Sequence, residues 1–518
     1  MAHAVPVQAA TPADVTIASS SASAGNSESL VTALYLPLDE ESIDIRLIIL
    51  EPGSVLEAPV RCRLETVKLI DNPAYEALSW AWGDHKTLEE ISLNNHTWMA
   101  PSSAVTALRY LRYSGRSRVL WIDALSINPL RSPDALRERE RQIQIMRYVY
   151  SKAFRVVVWA GVPEGNNELL PFIEKYFTSS ASLMNSVFKM GYRAGWFSTQ
   201  IRRFTWWKRL WILQEVALAS DSMICFGSLV VSFDRLLREL AILQQALERF
   251  FDTERESTEL QLIGLGLTGS VYVPRPQTFL ELRQKCSSLA LQYKMSPMRR
   301  GEAEGKSVAQ TGTRDAFRQF ARYVVQFRYN GTSNPLDKLY GLLGLVPEAV
   351  GLCLNPKYDE DALSMYRRTA EQIIRSSQSL YILSQVHNIS FEETTFAAEL
   401  PSWVPDWTAK PYLDQEWAQT RFREEREDIF DASGDAPCPV QTRDDHRILG
   451  LRGVFVDTVC NFLDYEGPIQ STFRGWWDQT QKWRNLIEYG ENVSSAQSKG
   501  MSVKFDDDLG NDRLTGGR

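Results

Sequence analysis

Three short apolar runs constrain this chain more than any other feature. They are Ala74 to Trp80, Val119 to Ile122 and Phe154 to Trp159. Each is too short for a helix and lacks the polar alternation of a half-exposed strand, so each reads as a strand buried on both faces. Between them lie two segments with helical spacing. One carries Val105, Leu108 and Leu111. The other begins at Ser132-Pro133-Asp134, a capping hydroxyl followed by proline and an acid in the first turn, and carries Leu136, Ile143, Met146, Val149 and Ala153 on one side. Glu138, Arg139, Glu140 and Arg141 are assigned to its solvated part. Strand, helix, strand, helix, strand predicts a parallel sheet covered by helices. Right-handed crossovers put the three strand exits on one edge, where open α/β sheets take their ligands. Trp80, Trp82, Asp84, Asp123 and Trp159 fall there.

Around this stretch the texture changes. Residues 1–30 are rich in Ala, Ser and Thr and are expected to form a disordered tail. Ile43, Ile45, Leu47 and Ile49 alternate with polar or smaller residues, and Cys62 to Val67 supplies a second strand, giving a β segment over 31–70 that leads into the domain at 71–235. Ile91 to Leu93 followed by Asn94-Asn95 predicts a hairpin. Residues 162–204 form a long insertion, of the kind that is usually functional or mobile. The segment Trp206 to Leu218 is predicted as one helix, with Trp207, Trp211 and Glu215 on a shared face. Met223 to Phe226 and Leu229 to Phe233 read as strands around Gly227. A mainly helical region with some β, 236–495, is expected next. It includes a loop at 296–313, a strand over 447–459 and a helix over 476–489. A polar, glycine-rich tail, 496–518, ends as a truncated gene model would.

With 518 residues, more than one ordinary core is expected. The net charge of −7 gives no general reason to expect nucleic acid or an anionic membrane as partner, and no stretch is apolar enough to span a membrane. No lysine or arginine precedes Arg46, which argues against a secretory signal or a transit peptide. The six cysteines are scattered, without C-x-x-C, which fits a reduced, cytoplasmic compartment.

The central stretch resembles the heterokaryon-incompatibility (HET) domain of filamentous fungi. Tyr75 to Gly83 matches the family's Y-x-A-L-S-Y-x-W-G, with Trp80 in the second tyrosine place. Leu120 to Asn128 matches L-W-I-D-A-x-C-I-N-Q. Glu138 to Met146, Val156 to Gly161 and Arg209 to Glu215 match E-R-x-x-Q-x-x-x-M, V-x-x-W-x-G and R-x-W-x-x-Q-E. Tyr35 to Leu50, Asn334 to Leu345 and Leu400 to Trp407 resemble flanking landmarks, so the likeness covers roughly residues 35 to 460. Ser126 stands where the family usually has cysteine, and Pro129 with a short insertion replaces its glutamine. The HET domain is itself similar to the TIR fold, which implies a TIR/flavodoxin-like parallel sheet. It also implies a non-self recognition or programmed-death effector working through protein partners or self-association. Several TIR domains cleave NAD with a glutamate in a W-C-x-x-E setting, which Trp211 and Glu215 match in order and spacing.

The candidate residues therefore carry paired expectations. Glu215 is either a catalytic carboxylate stabilising an oxocarbenium-like transition state, with NAD as substrate, or the partner of Arg209 or of an arginine of the insertion. Asp123 binds substrate or, more in keeping with its type, caps the following loop. Trp80 and Trp82 stack a base or fill the core. Arg202, Arg203, Lys208 and Arg209, interleaved with Phe204, Trp206 and Trp207, either receive a pyrophosphate, with Trp211 and Asp84 lining the site, or a nucleic-acid strand, or begin a solvated helix with buried rings. Gly264 to Gly269 matches G-x-G-x-x-G but follows no strand, and Gly305-Lys306-Ser307 lacks the first P-loop glycine. Both are rejected. The five histidines show no metal spacing, so neither metal nor resident cofactor is expected.

Overall fold

A computed structural model describes residues 24–39, 43–83, 87–163, 168–178, 197, 200–253, 274–295, 310–386, 396, 399–409, 440–443 and 448–451. All belong to the compact unit Met1–Arg452. Asp84, most of the 162–204 insertion, both rejected glycine motifs, most of the 296–313 loop, the strand expected beyond Leu451 and the helix at 476–489 lie outside the described residues.

In chain order the elements begin with α1 (Ala24–Leu34), β1 (Asp44–Leu50), β2 (Arg61–Lys68), β3 (Glu76–Trp80), β4 (Leu88–Leu93) and β5 (His96–Pro101). Then come α2 (Ser102–Leu111), β6 (Arg118–Trp121), α3 (Asp123–Ser126), α4 (Pro133–Lys152), β7 (Arg155–Gly161) and α5 (Leu169–Ile173). The short α6 (Ile212–Ala217), β8 (Ser222–Phe226) and β9 (Leu229–Ser232) close the sheet. Helices follow: α7 (Phe233–Thr253), α8 (Pro276–Met295), α9 (Gln310–Gln326), α10 (Asp337–Tyr340), α11 (Glu348–Leu354) and α12 (Ala362–Ser377). A small antiparallel pair, β10 (Val440–Arg443) and β11 (Ile448–Leu451), is the last described element.

The nine strands order as β5-β4-β2-β1-β6-β3-β7-β8-β9. The four inner strands β6-β3-β7-β8 are mutually parallel. In chain order they lie second, first, third, fourth, which is the flavodoxin-like doubly wound arrangement, with its switch point beside β3. The 31–70 segment is not a separate layer. β1 pairs antiparallel with β6, at Ile48 with Leu120, and so extends the parallel core. Asn94 and Asn95 both adopt positive φ, as a two-residue hairpin turn requires, and join β4 to β5.

Period-two alternation divides the strands between two cores. Ala77, Trp121, Val156 and Val158 face one. Leu78, Trp80, Leu120, Val157 and Trp159 face the other, with Val31, Val105 and Leu108 of α1 and α2. Burial on both faces explains the nearly continuous apolar runs. Helix α1 begins at Ala24, inside the expected tail, and sets Val31 into the second core, with Tyr35 just beyond its end. Ser132 caps α4 by accepting from the Ala135 N–H at 3.3 Å. Glu138, assigned above to the solvated side of α4, is instead clamped by Arg46 of β1 at 2.6 and 2.9 Å, and Arg139 is also buried. A buried guanidinium needs that partner. It also donates to the carbonyls of Leu36 and Ser126, at 2.6 and 3.2 Å.

The boundary expected near residue 235 is not a packing boundary. Phe279, Phe317, Leu339 and Tyr340 belong to the same core as Val156 and Leu213. Gly344 fits against Gln214, whose side-chain oxygen accepts the Gly344 N–H at 3.2 Å. A Cβ on residue 344 would lie 2.3 Å from Gln214 Cδ. Gly344→Ala is therefore expected to lower stability by about 1–3 kcal/mol through overpacking. Gly115→Ala, where a Cβ meets nothing, should stay within about 0.5 kcal/mol of the parent. Chemical denaturation of the two variants checks this.

Candidate functional site at the exit of β3

Ser79 and Trp80 end the central strand and point to opposite faces, so two sets of groups meet there. On one face the Trp80 and Trp82 rings stack, with centroids 5.3 Å apart. Both indoles donate to Asp123, Trp80 Nε1 to Oδ1 at 2.8 Å and Trp82 Nε1 to Oδ2 at 3.0 Å. Asp123 Oδ1 also accepts from the Ala124 N–H at 2.8 Å, capping the turn that leaves β6. Gly83, at φ 64°, lets the chain turn away after Trp82, and Ser103 Oγ donates to the Trp82 carbonyl at 2.6 Å. The tryptophans are 1% and 4% exposed. Ser126, in the usual cysteine place, accepts the Ile122 N–H on its hydroxyl at 3.1 Å.

On the other face Ser79, fully buried, donates to the Glu215 carboxylate and accepts from Trp206 Nε1 at 2.8 Å. The Arg209 guanidinium donates to the Trp80 carbonyl and lies 3.9 Å from Glu215. Burial pushes the Glu215 carboxyl up to about 7, against the opposing pull of Arg209 and of the Ser79 hydroxyl. Asp337 of α10, hydrogen-bonded by Tyr358 at 2.6 Å, is pushed up to about 6 by its own burial.

The single helix expected over 206–218 is interrupted. Thr205–Lys208 form a 3-10 turn, Arg209 is extended, and α6 starts at Ile212. The interruption comes from a bridge with Gly331, whose N–H donates to the Lys208 carbonyl at 2.6 Å and whose carbonyl accepts the Leu210 N–H at 3.0 Å. Trp207 thus leaves the Trp211–Glu215 face and packs on Phe233, with ring centroids 5.8 Å apart. Trp211 stays one turn ahead of Glu215, its carbonyl accepting the Glu215 N–H at 3.2 Å. Arg209 turns inward and Arg203 is exposed, so the two do not converge.

The structure thus brings Trp80, Trp82 and Asp123 together on one face, and Glu215 with Arg209 on the other, joined through consecutive residues of β3. Ser79, Trp206 and Asp337 were not foreseen. A serine inside the Ala77-Leu78-Ser79-Trp80 run was the available signal, since a buried hydroxyl needs a partner. Beside Asp123 a depression lined by Trp82, Asn128, Pro129 and Arg139 encloses about 10 Å³, room for one water molecule. Among the described residues no group of His, Cys, Asp or Glu is arranged to hold a metal ion.

The heterokaryon incompatibility protein (HET) family matches residues 75–215, the stretch whose two ends meet at Ser79 and Glu215. Residues 75–215 are thus similar to the HET domain. The chain is also 28% identical over 506 residues to heterokaryon incompatibility protein 6, OR allele, of Neurospora crassa, an alignment covering 84% of this chain and 67% of that protein. No solved structure matches the chain. Within the matched stretch, Asp123 satisfies the indoles of Trp80 and Trp82 on one face, and Ser79 and Arg209 hold Glu215 on the other.

Two outcomes follow. Asp123→Ala leaves two buried indole N–H groups unpaired, at about 1–3 kcal/mol each, whereas Asp123→Asn keeps one acceptor and should lose less. Denaturation followed by tryptophan fluorescence separates the two. Glu215 has a folded pKa raised to about 7. Its contribution is fully present below the ordinary carboxylate range and is lost as pH rises through about 7. Glu215→Gln, neutral throughout, should flatten the pH dependence of melting between about pH 5 and 8. A variant whose melting falls toward alkaline pH as steeply as the parent's would contradict the assignment.

Proposed function

We propose that the protein is an effector of heterokaryon incompatibility, acting in the cytoplasm in non-self recognition and programmed cell death, with the HET domain as its toxic signalling output. The similarity along most of the chain to the Neurospora incompatibility protein carries this proposal. The geometry at the β3 exit supports it in a particular way. The signature side chains are spent on fixing the ends of β3, β6 and α6, so the domain offers a defined surface to a protein partner or a second copy. No described helix is long and apolar enough to cross a membrane.

Hydrolysis of NAD is the competing proposal, and no observation favours it. Glu215 would have to face a cleft, yet it is 2% exposed, with its carboxylate held by Ser79 and Arg209.

Inducible expression in a filamentous fungal host is expected to arrest growth and kill cells. Asp123→Ala should abolish killing by unfolding the β3 exit. Sustained growth at wild-type protein levels would overturn the proposal. Measuring NAD in the same cultures, with Glu215→Gln in parallel, tests the enzymatic alternative: killing by both proteins with NAD intact excludes it.

A further inference from the structure

The sheet edge opposite the β3 exit is formed by the segments that enter β3, β7 and β8, together with the end of α8. Two lysines meet there. Lys152 Nζ donates to Asn72 Oδ1 and to the Lys294 carbonyl, each at 2.9 Å, and Lys294 Nζ donates to Ser220 Oγ at 2.9 Å. All three acceptors are neutral. Neither ammonium has a carboxylate partner among the described residues. Burial and the neighbouring Lys294 charge lower the Lys152 pKa. The acids of this edge are occupied elsewhere or stand in solvent. Asp221 is held by Arg155 at 2.6 Å, Glu76 by Arg118 at 2.5 Å, and Asp71 is exposed.

Large apolar side chains surround this pair. Phe154 follows Lys152 by two residues, Met295 follows Lys294, Leu291 lies one turn earlier on α8, and Ile70 is two residues from Asn72. Phe154, Leu291 and Met295 are 62%, 60% and 74% exposed, among the most exposed large apolar side chains of the described residues. Clustered exposed apolar groups mark interaction sites. Leu291 and Met295 stand one turn apart on α8, and Phe154 and Ile70 come from the segments beside the two lysines. A concave protein partner would need a matching pocket for each, whereas a lipid layer needs none. Apolar side chains beside lysines whose charges have only neutral partners are the composition of a membrane-interface anchor.

We propose that this edge docks on an anionic lipid surface, with Phe154, Leu291 and Met295 entering the acyl boundary and Lys152 and Lys294 facing the phosphates. The overall charge of −7 works against binding to an anionic surface, so the attachment rests on the local lysine pair. The attachment is peripheral and salt-sensitive.

The test is co-sedimentation of the full chain with phosphatidylcholine vesicles, with and without phosphatidylserine. Several-fold more protein should pellet with the anionic vesicles, and high salt should reverse this. Lys294→Ala should reduce pelleting by about fivefold, the worth of one lysine at an anionic surface. Phe154→Ser combined with Met295→Ser should abolish it. All three positions are exposed, so thermal melting of the variants should match the parent. Equal pelleting with neutral vesicles, no pelleting, or variants that bind like the parent would overturn the proposal. So would a concentration-dependent dimer that the double variant loses, since the edge would then bind a second copy.

Discussion

A single carboxylate, Asp123, accepts hydrogens from two stacked indoles and a backbone amide, and much of the domain is fixed by that arrangement. Three donors converge on two oxygens in a nearly dry environment, where each hydrogen bond is strengthened and each omission is costly. Trp80 belongs to β3, Trp82 to the turn beyond it and Asp123 to the exit of β6. The contact therefore sets the relative height of two adjacent strands. Ser79, one residue back, performs the same service on the other face, joining Trp206 to Glu215. The sheet end is thus fastened from both sides through two consecutive residues.

That fastening changes the meaning of Glu215. An isolated carboxylate in an aromatic wall would invite a catalytic interpretation, because burial raises its pKa into the range useful for proton transfer. Here the same burial is accompanied by a serine donor and an arginine at 3.9 Å. The raised pKa is the residue of an incomplete balance between desolvation and pairing, as structural networks also produce.

The strands, the Asn94–Asn95 hairpin and the cap at Ser132 were legible in the sequence because each rests on local chemistry: apolar runs, turn residues, a hydroxyl before proline. The break at Arg209 was not, since its cause is Gly331, over a hundred residues downstream. The insertion of β1 beside β6 was hidden for the same reason. Lone polar residues in apolar runs were the missed clue. Arg46 between Ile45 and Leu47, like Ser79 between Leu78 and Trp80, announces a buried partner without naming it. Arg46 finds Glu138 and Ser79 finds Glu215, so in both cases a carboxylate far along the chain supplies the answer.

The Arg209–Gly331 bridge also has a temporal consequence. During synthesis the residues around Arg209 emerge well before Gly331. At ribosomal speeds the interval is on the order of ten seconds. Until then the carbonyl of Lys208 and the amide of Leu210 lack their final partners, and the segment 206–218, helical by its own spacing, is free to form the uninterrupted helix that its sequence favours. The nascent chain would then have to unwind part of that helix when the later segment arrives. The chain's own order of appearance thus makes the β3 exit among the last regions to acquire its native form.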